Sequence, residues 1–231
     1  RIHQEEGRIA SRLETLTTDD LSPGDLLVRV GYSSINYKDA LAATGKGKIL
    51  RKFPLVGGID LAGEVVESSN SAFPVGARVL VTGCGLSETH DGGYAEFARV
   101  SSEWAIPIPA GLDEFQCMAI GTAGFTAALA IDRMEHNGQM PEAGEVVVTG
   151  ATGGVGSFAI DMLAARGYRA VAISGKPQAA EFLRTLGADR VLVRQEIDLG
   201  SRPLEGARWA GAIDNVGGEL LSWLIRTTDV H

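Results

Sequence analysis

The chain has 231 residues, 45% of them hydrophobic, with 21 Lys and Arg against 29 Asp and Glu and a formal net charge of −8. That length buries at least one full core and leaves one or two domains open. The acidic balance, with no continuous basic face, excludes broad nucleic-acid or acidic-membrane binding and points to a small-molecule partner.

No stretch reads as long and apolar enough to span a bilayer, and the N-terminal residues lack the charged-then-apolar pattern of a secretory signal. Cys84 and Cys117 are too few for a disulfide framework, so a reducing, cytoplasmic setting is expected. In chain order, residues 1–109 read as short strands broken by Gly and Pro, at 26–32, 63–68, 78–82 and 93–100, which suits a compact β-rich domain. After Gly111 the pattern turns helical, over 115–121 and then 125–136, where Asn137 and Gly138 stop it. Strands at 145–149, 168–174, 191–193 and 209–215 then alternate with helices from Val155 to about Arg166 and at 178–186. Pro177 suits the first position of the second of these helices, and Gly187 the residue just past its last turn. Such alternation gives a parallel sheet with helices on its faces. We expect two domains, 1–111 and 112–231, the second incomplete at its C-terminal end: only four strands of about six in a full dinucleotide fold precede the end of the chain.

The strand Val146-Val147-Val148-Thr149 passes through Gly150-Ala151-Thr152-Gly153-Gly154-Val155-Gly156 straight into an apolar helix. Glycines here allow a tight turn, close approach of backbone to a pyrophosphate, and close helix–strand packing. The helix N-terminus then turns unpaired N–H groups and a positive dipole end toward the phosphates. Against the usual G-x-G-x-x-G spacing, Ala151 takes the first glycine's place, while Gly153 and Gly156 hold the other two. At the end of the next strand an acidic side chain would bind a free ribose 2′-OH. Ser174, Gly175 and Lys176 stand there instead, with Arg194 two residues past the following strand, so NADPH is favoured over NADH. The plainer alternative, that Lys176 and Arg194 are solvated surface charges, stays open.

Four segments resemble the medium-chain dehydrogenase/reductase superfamily, and within it the zinc-free acryloyl-CoA reductase/putative quinone oxidoreductase group. They are Ser33-Ser34-Ile35-Asn36-Tyr37-Lys38-Asp39-Ala40-Leu41, Thr44-Gly45-Lys46-Gly47-Lys48, Gly121-Thr122-Ala123-Gly124-Phe125-Thr126-Ala127 and Trp209-Ala210-Gly211-Ala212-Ile213-Asp214-Asn215-Val216-Gly217. The resemblance spans essentially the whole chain. It implies an α/β protein in which a GroES-like catalytic domain precedes a Rossmann-type doubly wound sheet, and a homodimer formed through late strands of that sheet. It assigns Thr152, Gly153, Gly154 and Val155 to the pyrophosphate, and Ser174, Gly175, Lys176 and Arg194 to the adenosine phosphate. Zinc-dependent relatives place a cysteine and Gly-His-Glu where this chain has Asn36 and Gly58-Ile59-Asp60, so two ligands are gone, and the cysteines of a structural zinc site are absent too. His3, His90, His136 and His231 are scattered without ligand spacing.

The resemblance implies hydride delivery from NADPH to an alkene polarised by a neighbouring carbonyl. Asn36 would donate to the carbonyl oxygen, Asp39 would orient Asn36 or relay a proton, and Tyr37 would touch the cofactor or donate a proton. The alternative is a structural reading in which Asn36 ends a strand, Asp39 caps the next helix and Tyr37 packs. The family's usual proline before Gly-Ile-Asp is Gly57 here, which is expected to loosen the loop near Asp60. Lys46, Lys48, Arg51 and Lys52 place four positive charges within seven residues. Lys46 and Lys48 are candidates for the phosphates of coenzyme A, against a solvated mobile loop. Acryloyl-CoA reduction to propionyl-CoA is the first expectation; reduction of quinones or enones, and catalytically idle NADPH binding, are the alternatives.

Overall fold

The first expected strand is preceded by an unexpected hairpin: β1 (Ile2–Glu5) pairs antiparallel with β2 (Arg8–Ser11). The computed structural model describes residues 1–200 and 205–229, so His231 lies outside the described residues. β3 (Leu26–Tyr32), β4 (Asp60–Ser68), β5 (Arg78–Thr82), β6 (Phe97–Val100) and β7 (Ile106–Pro107) form an antiparallel sheet in the order β6-β3-β4-β5-β7. Its buried face collects Leu26, Val28, Leu61, Val65, Val79, Val81, Ala98 and Val100. Such side chains recur at every second position because a pleated strand turns alternate residues to one face. Helix α1 (Tyr37–Thr44) follows β3. Asn36 is its extended N-cap, Asp39 in its first turn accepts the Asn36 N–H at 2.8 Å, and Gly45 closes it in the left-handed region at φ 68.

Helix α2 (Glu114–His136) joins the two helices expected from the sequence. Contrary to the sequence reading, by length and composition this one helix is apolar enough to cross a bilayer. Gly121, at φ 47 and ψ −157, breaks it. The longer straight piece, residues 122–136, rises about 22 Å, short of a hydrocarbon core of about 30 Å. It also carries Asp132, Arg133 and Glu135. The chain forms two compact units, Arg1–Thr122 and Ala123–His231, so they part beside this break. The piece before Gly121, expected with the second domain, belongs to the first unit, where Cys117 and Met118 pack with Ala62, Leu80, Ile108 and Leu112.

In the second unit β8 (Glu145–Thr149), β9 (Arg169–Ser174), β10 (Arg190–Val193) and β11 (Gly211–Ile213) form a parallel sheet in the order β10-β9-β8-β11. Reading outward from β8, one side of the sheet winds to β9 and β10 and the other to β11, the doubly wound pattern. Val146, Val148, Ala170 and Ala172 face α2 through Ala127 and Ile131, and face α3 (Gly154–Ala165) through Ala159, Ile160 and Leu163. Val147, Val171 and Ile173 face the other way, onto Trp209 and onto Leu220, Trp223 and Leu224 of α5 (Gly218–Thr227). Both faces are covered, which is why these strands are apolar at successive positions. The expected 178–186 helix is a single 3-10 turn, Pro177–Ala179, running into the short α4 (Ala180–Thr185), with Gly187 past its end at φ 97.

Candidate functional site

In the first unit the chain leaves β3 and enters α1 through Ser33, Ser34, Ile35 and Asn36. This segment meets the first residue of β4. The Asp60 carboxylate is fully buried and gathers four donors. Its Oδ2 accepts from Ser34 Oγ at 2.5 Å, Asn36 Nδ2 at 2.9 Å and the Thr122 N–H at 3.0 Å; its Oδ1 accepts from Thr122 Oγ1 at 2.5 Å. Asn36 Nδ2 also donates to Ser34 Oγ at 3.0 Å. The Ser34 hydroxyl and the Asp60 carboxylate oxygen, themselves 2.5 Å apart, therefore lie on the same side of the Asn36 amide. A substrate carbonyl brought to this amide competes with the neutral Ser34 hydroxyl more easily than with the carboxylate, because charge-assisted hydrogen bonds are about twice as strong as neutral ones.

Asp39 is buried, and its two oxygens hold the backbone: Oδ2 accepts the Asn36 N–H at 2.8 Å and Oδ1 the Ile59 N–H at 3.1 Å. Through them Asp39 ties α1 to the segment leading into β4. Tyr37 at the helix start is 82% exposed, and Ile35 beside it 89%, so apolar surface flanks Asn36 on both sides. Tyr94 completes the cluster. Its hydroxyl donates to the Ser34 carbonyl at 3.0 Å, and burial, with the nearby Asp39 and Asp60 charges, pushes its pKa far above the ordinary tyrosine value. A cleft of about 380 Å³ opens here, lined among others by Leu13, Asp39, Ala43, Gly58 and Tyr94.

In the second unit the turn after β8 is solvent-accessible at Gly153 and Gly154 and ends in α3, whose N-cap Gly153 has no side chain to cap the first turn. Gly156 is required by the packing, since a Cβ there would sit 2.4 Å from the Gly150 carbonyl oxygen and 2.7 Å from the Ala151 Cα. Ala151, in the first glycine's place, is fully buried, its N–H bonded to the Ile173 carbonyl at 3.1 Å. At the end of β9 the Ser174 hydroxyl accepts the Lys176 N–H at 3.0 Å. Val193 pairs with Ser174 in the β10–β9 register, so Arg194 emerges next to Gly175, and Lys176 and Arg194 are both exposed at one sheet edge. An anion cradle with uncapped helix N–H groups, and two cations with a hydroxyl one strand away, fit a dinucleotide bearing a 2′-phosphate.

Residues 22–110 match the alcohol dehydrogenase GroES-like domain. The probable acrylyl-CoA reductase AcuI of Escherichia coli is 51% identical over 96% of this chain and 68% of its own length. The chain belongs to the medium-chain dehydrogenase/reductase superfamily. Within this superfamily of oxidoreductases it falls in the group of acrylyl-CoA reductases and putative quinone oxidoreductases: YhfP of Bacillus subtilis, a putative quinone oxidoreductase, is 45% identical over 94% of the chain and 66% of its own length. Among solved structures, Escherichia coli YHDH with bound NADPH is 49% identical with a TM-score of 0.95, over 99% of this chain and 70% of that one. Bacillus subtilis yhfP with NAD bound is 43% identical with a TM-score of 0.92, over 98% and 69%. The superfamily's architecture, a GroES-like domain followed by a Rossmann-type parallel sheet, is the one seen here.

Of the site residues expected from the sequence, Asn36, Tyr37 and Asp39 lie together at the start of α1, and Thr152, Gly153, Gly154 and Val155 lie together after β8. Ser174, Gly175, Lys176 and Arg194 share the ends of β9 and β10. Lys46 and Lys48 are exposed after α1; Lys48 lines a depression of about 360 Å³ with Gln4, Ile9 and Phe53. Arg51 of the same basic run is paired with Glu88 at 3.0 Å, and Lys38 reaches that carboxylate at 2.8 Å, holding Glu88 below the usual carboxylate range. Sequence reasoning missed Ser34, Thr122 and Tyr94, and treated Asp60 only as a lost metal ligand. It also missed Thr149, whose hydroxyl donates to Asp214 Oδ1 at 2.5 Å and accepts the Asn215 N–H at 2.8 Å, locking the β11–α5 turn beside Gly150.

Proposed function

We propose that this protein reduces the carbon–carbon double bond of acryloyl-CoA to propionyl-CoA with NADPH and without zinc. The observation that carries the reading is the Asn36–Ser34–Asp60 cluster. Where zinc-dependent relatives are expected to hold ligands, this chain has an amide oriented by a buried carboxylate, and an amide side chain is a hydrogen-bond donor rather than a zinc ligand. The name of the Escherichia coli relative and the NADPH bound to one of the similar structures support it, whereas the name of the Bacillus subtilis relative supports the quinone reading given below. Thr152, Gly153, Gly154 and Val155 would hold the pyrophosphate, with Ser174, Gly175, Lys176 and Arg194 around the 2′-phosphate. When bound, NADPH supplies the hydride.

The chain's own residues stabilise charge and hold geometry. Asn36 donates to the thioester carbonyl oxygen, where negative charge grows as the double-bond electrons shift toward the carbonyl. Asp60 and Asp39 keep Asn36 in place before the substrate arrives, so little reorganisation is needed when charge develops. Tyr37, exposed at the start of α1, would contact the nicotinamide or give a proton to the α-carbon. Lys46 and Lys48 would hold phosphates of the coenzyme A handle, using distant binding energy to orient the acyl group. Two free thiols suit a reducing compartment, and we place the protein in the cytoplasm as a homodimer. A second reading, reduction of a neutral quinone or enone, is favoured by the apolar surface of Ile35 and Tyr37 on either side of Asn36.

NADPH oxidation by the full-length protein should be followed with acryloyl-CoA, crotonyl-CoA and a quinone. Turnover on acryloyl-CoA with the highest kcat/KM is expected, and none on any acceptor would leave only an idle NADPH-binding protein. The Lys46→Ala, Lys48→Ala double variant should raise KM for acryloyl-CoA about fivefold, as loss of two exposed charge pairs of about 0.5 kcal/mol each implies. The quinone's KM should stay unchanged; equal effects on both acceptors would remove the lysines from coenzyme A binding.

A further inference from the structure

Residues 92–94 run backbone-to-backbone against residues 56–58. The Gly92 N–H donates to the Val56 carbonyl, the Gly93 N–H to Gly58 and the Tyr94 N–H to Gly57, each at 2.9 Å. The loop before Asp60, expected to be loosened by Gly57, is thus pinned at three successive points. Side chains would obstruct this contact: a Cβ at Gly57 would lie 3.1 Å from Tyr94 Cδ2 and 3.4 Å from Ile2 Cδ1, and one at Gly58, where φ is +95, would lie 2.7 Å from Tyr94 Cδ1. The Tyr94 ring therefore lies on the surface that two glycines leave bare. Where the family pattern has proline, this chain has the glycine that admits the ring.

From there the hydroxyl donates to the Ser34 carbonyl at 3.0 Å, beside the cleft that Tyr94 lines with Asp39. Ser34 and Asp39 also bond Asn36, Ser34 at Nδ2 alongside Asp60 and Asp39 at the backbone N–H. We propose that Tyr94 is a positioning residue for the reduction: its hydroxyl fixes the Ser34 carbonyl, and so the segment that presents Asn36, while Gly57 makes room for its ring. This rests on the reading of Asn36 as the donor to the substrate carbonyl. Tyr94 acts through the Ser34 backbone, so its removal costs alignment in the transition state more than substrate affinity.

The test uses the full-length enzyme with acryloyl-CoA and NADPH. Tyr94→Phe keeps the ring and removes only the hydroxyl. It should lower kcat about three- to tenfold with KM changed less than twofold and the thermal midpoint nearly unmoved. Gly57→Ala should lower kcat by pressing on the ring. Tyr94→Leu should make that press harmless, so that Gly57→Ala costs nothing further in the double variant. An unchanged kcat in Tyr94→Phe, a change confined to KM, or strictly additive effects of Gly57→Ala and Tyr94→Leu would each overturn the role of Tyr94. An unsubstituted enzyme idle on acryloyl-CoA and on a quinone would instead overturn the reading of Asn36.

Discussion

Asp60→Ala should destabilise the first unit by about 3–5 kcal/mol, and Asp60→Asn by about 1–2 kcal/mol. Four donors converge on this fully buried carboxylate at 2.5 to 3.0 Å. When alanine withdraws the acceptor, the Ser34 and Thr122 hydroxyls can rotate toward other oxygens, but the Asn36 amide and the Thr122 N–H cannot follow. Each of these half-buried donors that loses its acceptor costs about 1–3 kcal/mol, so the two together cost about 2–6 kcal/mol, which brackets the roughly 3–5 kcal/mol for breaking a buried charged network. Asparagine can keep an oxygen at the Oδ2 position and so retains three of the four bonds, while the Thr122 hydroxyl turns to accept from the new amide. What it loses is charge assistance, partly offset because a neutral amide needs less solvation. For a unit of about 120 residues, 1 kcal/mol shifts the midpoint by about 4 °C, so calorimetry should show drops of about 12–20 °C and 4–8 °C. Amide exchange in β4 assigns the transition to this unit. Equal losses in the two variants, or a loss under 1 kcal/mol in Asp60→Ala, would show that the four bonds do not act as a hub.

Other outcomes follow from the same geometry. Gly156→Ala should abolish NADPH binding in a fluorescence titration, because the new methyl must push the Gly150 carbonyl out of a 2.4 Å contact and reshape the turn; retained affinity would mean the turn is not the pyrophosphate cradle. Lys176→Ala with Arg194→Ala should weaken NADPH at least tenfold and leave NADH within twofold, since at about 4 Å each cation gains roughly 1 kcal/mol per phosphate charge even in water; parallel losses for both coenzymes would remove these side chains from 2′-phosphate recognition. Asp25 is held below the usual carboxylate range, chiefly by the Ser102 hydroxyl, which it accepts at 2.5 Å. Its folded pKa is depressed, so this stabilisation is complete above the unfolded value near 3.8 and disappears as pH falls through the folded one. Thermal midpoints of Asp25→Asn should therefore fall less steeply between pH 5 and pH 2 than those of the unsubstituted protein, and an identical slope would contradict the assignment.

What could be read in the sequence was local, and what could not was long-range. The apolar run 146–148 and the turn after it state their own structure, because burial on both faces of a parallel strand and a glycine beside a backbone oxygen leave marks at adjacent positions. β1 and β2 leave no such mark. Ile2, His3, Gln4 and Glu5 show no alternation, and the hairpin is held instead by Ile2, whose N–H and carbonyl bond the backbone of Leu55. β7 has two residues, one of them proline, and exists because β5 offers an edge. The candidate site divides in the same way. Asn36 and Asp39 are three residues apart, and their pairing is a helix-capping pattern visible in the sequence. Asp60 lies 26 residues from Ser34 and 62 from Thr122, and Tyr94 lies 60 from Ser34, so no periodicity joins them. Sequence pattern thus offers the candidates for facing a ligand, whereas folding alone supplies the groups that hold them still. That division has a consequence for Asn36. Its identity is locally encoded, but its orientation depends on Asp60 of β4 and, through Asp60 and Ser34, on Thr122 of α2 and Tyr94 of the loop before β6, so substitutions far away in sequence should alter turnover without touching the ligand.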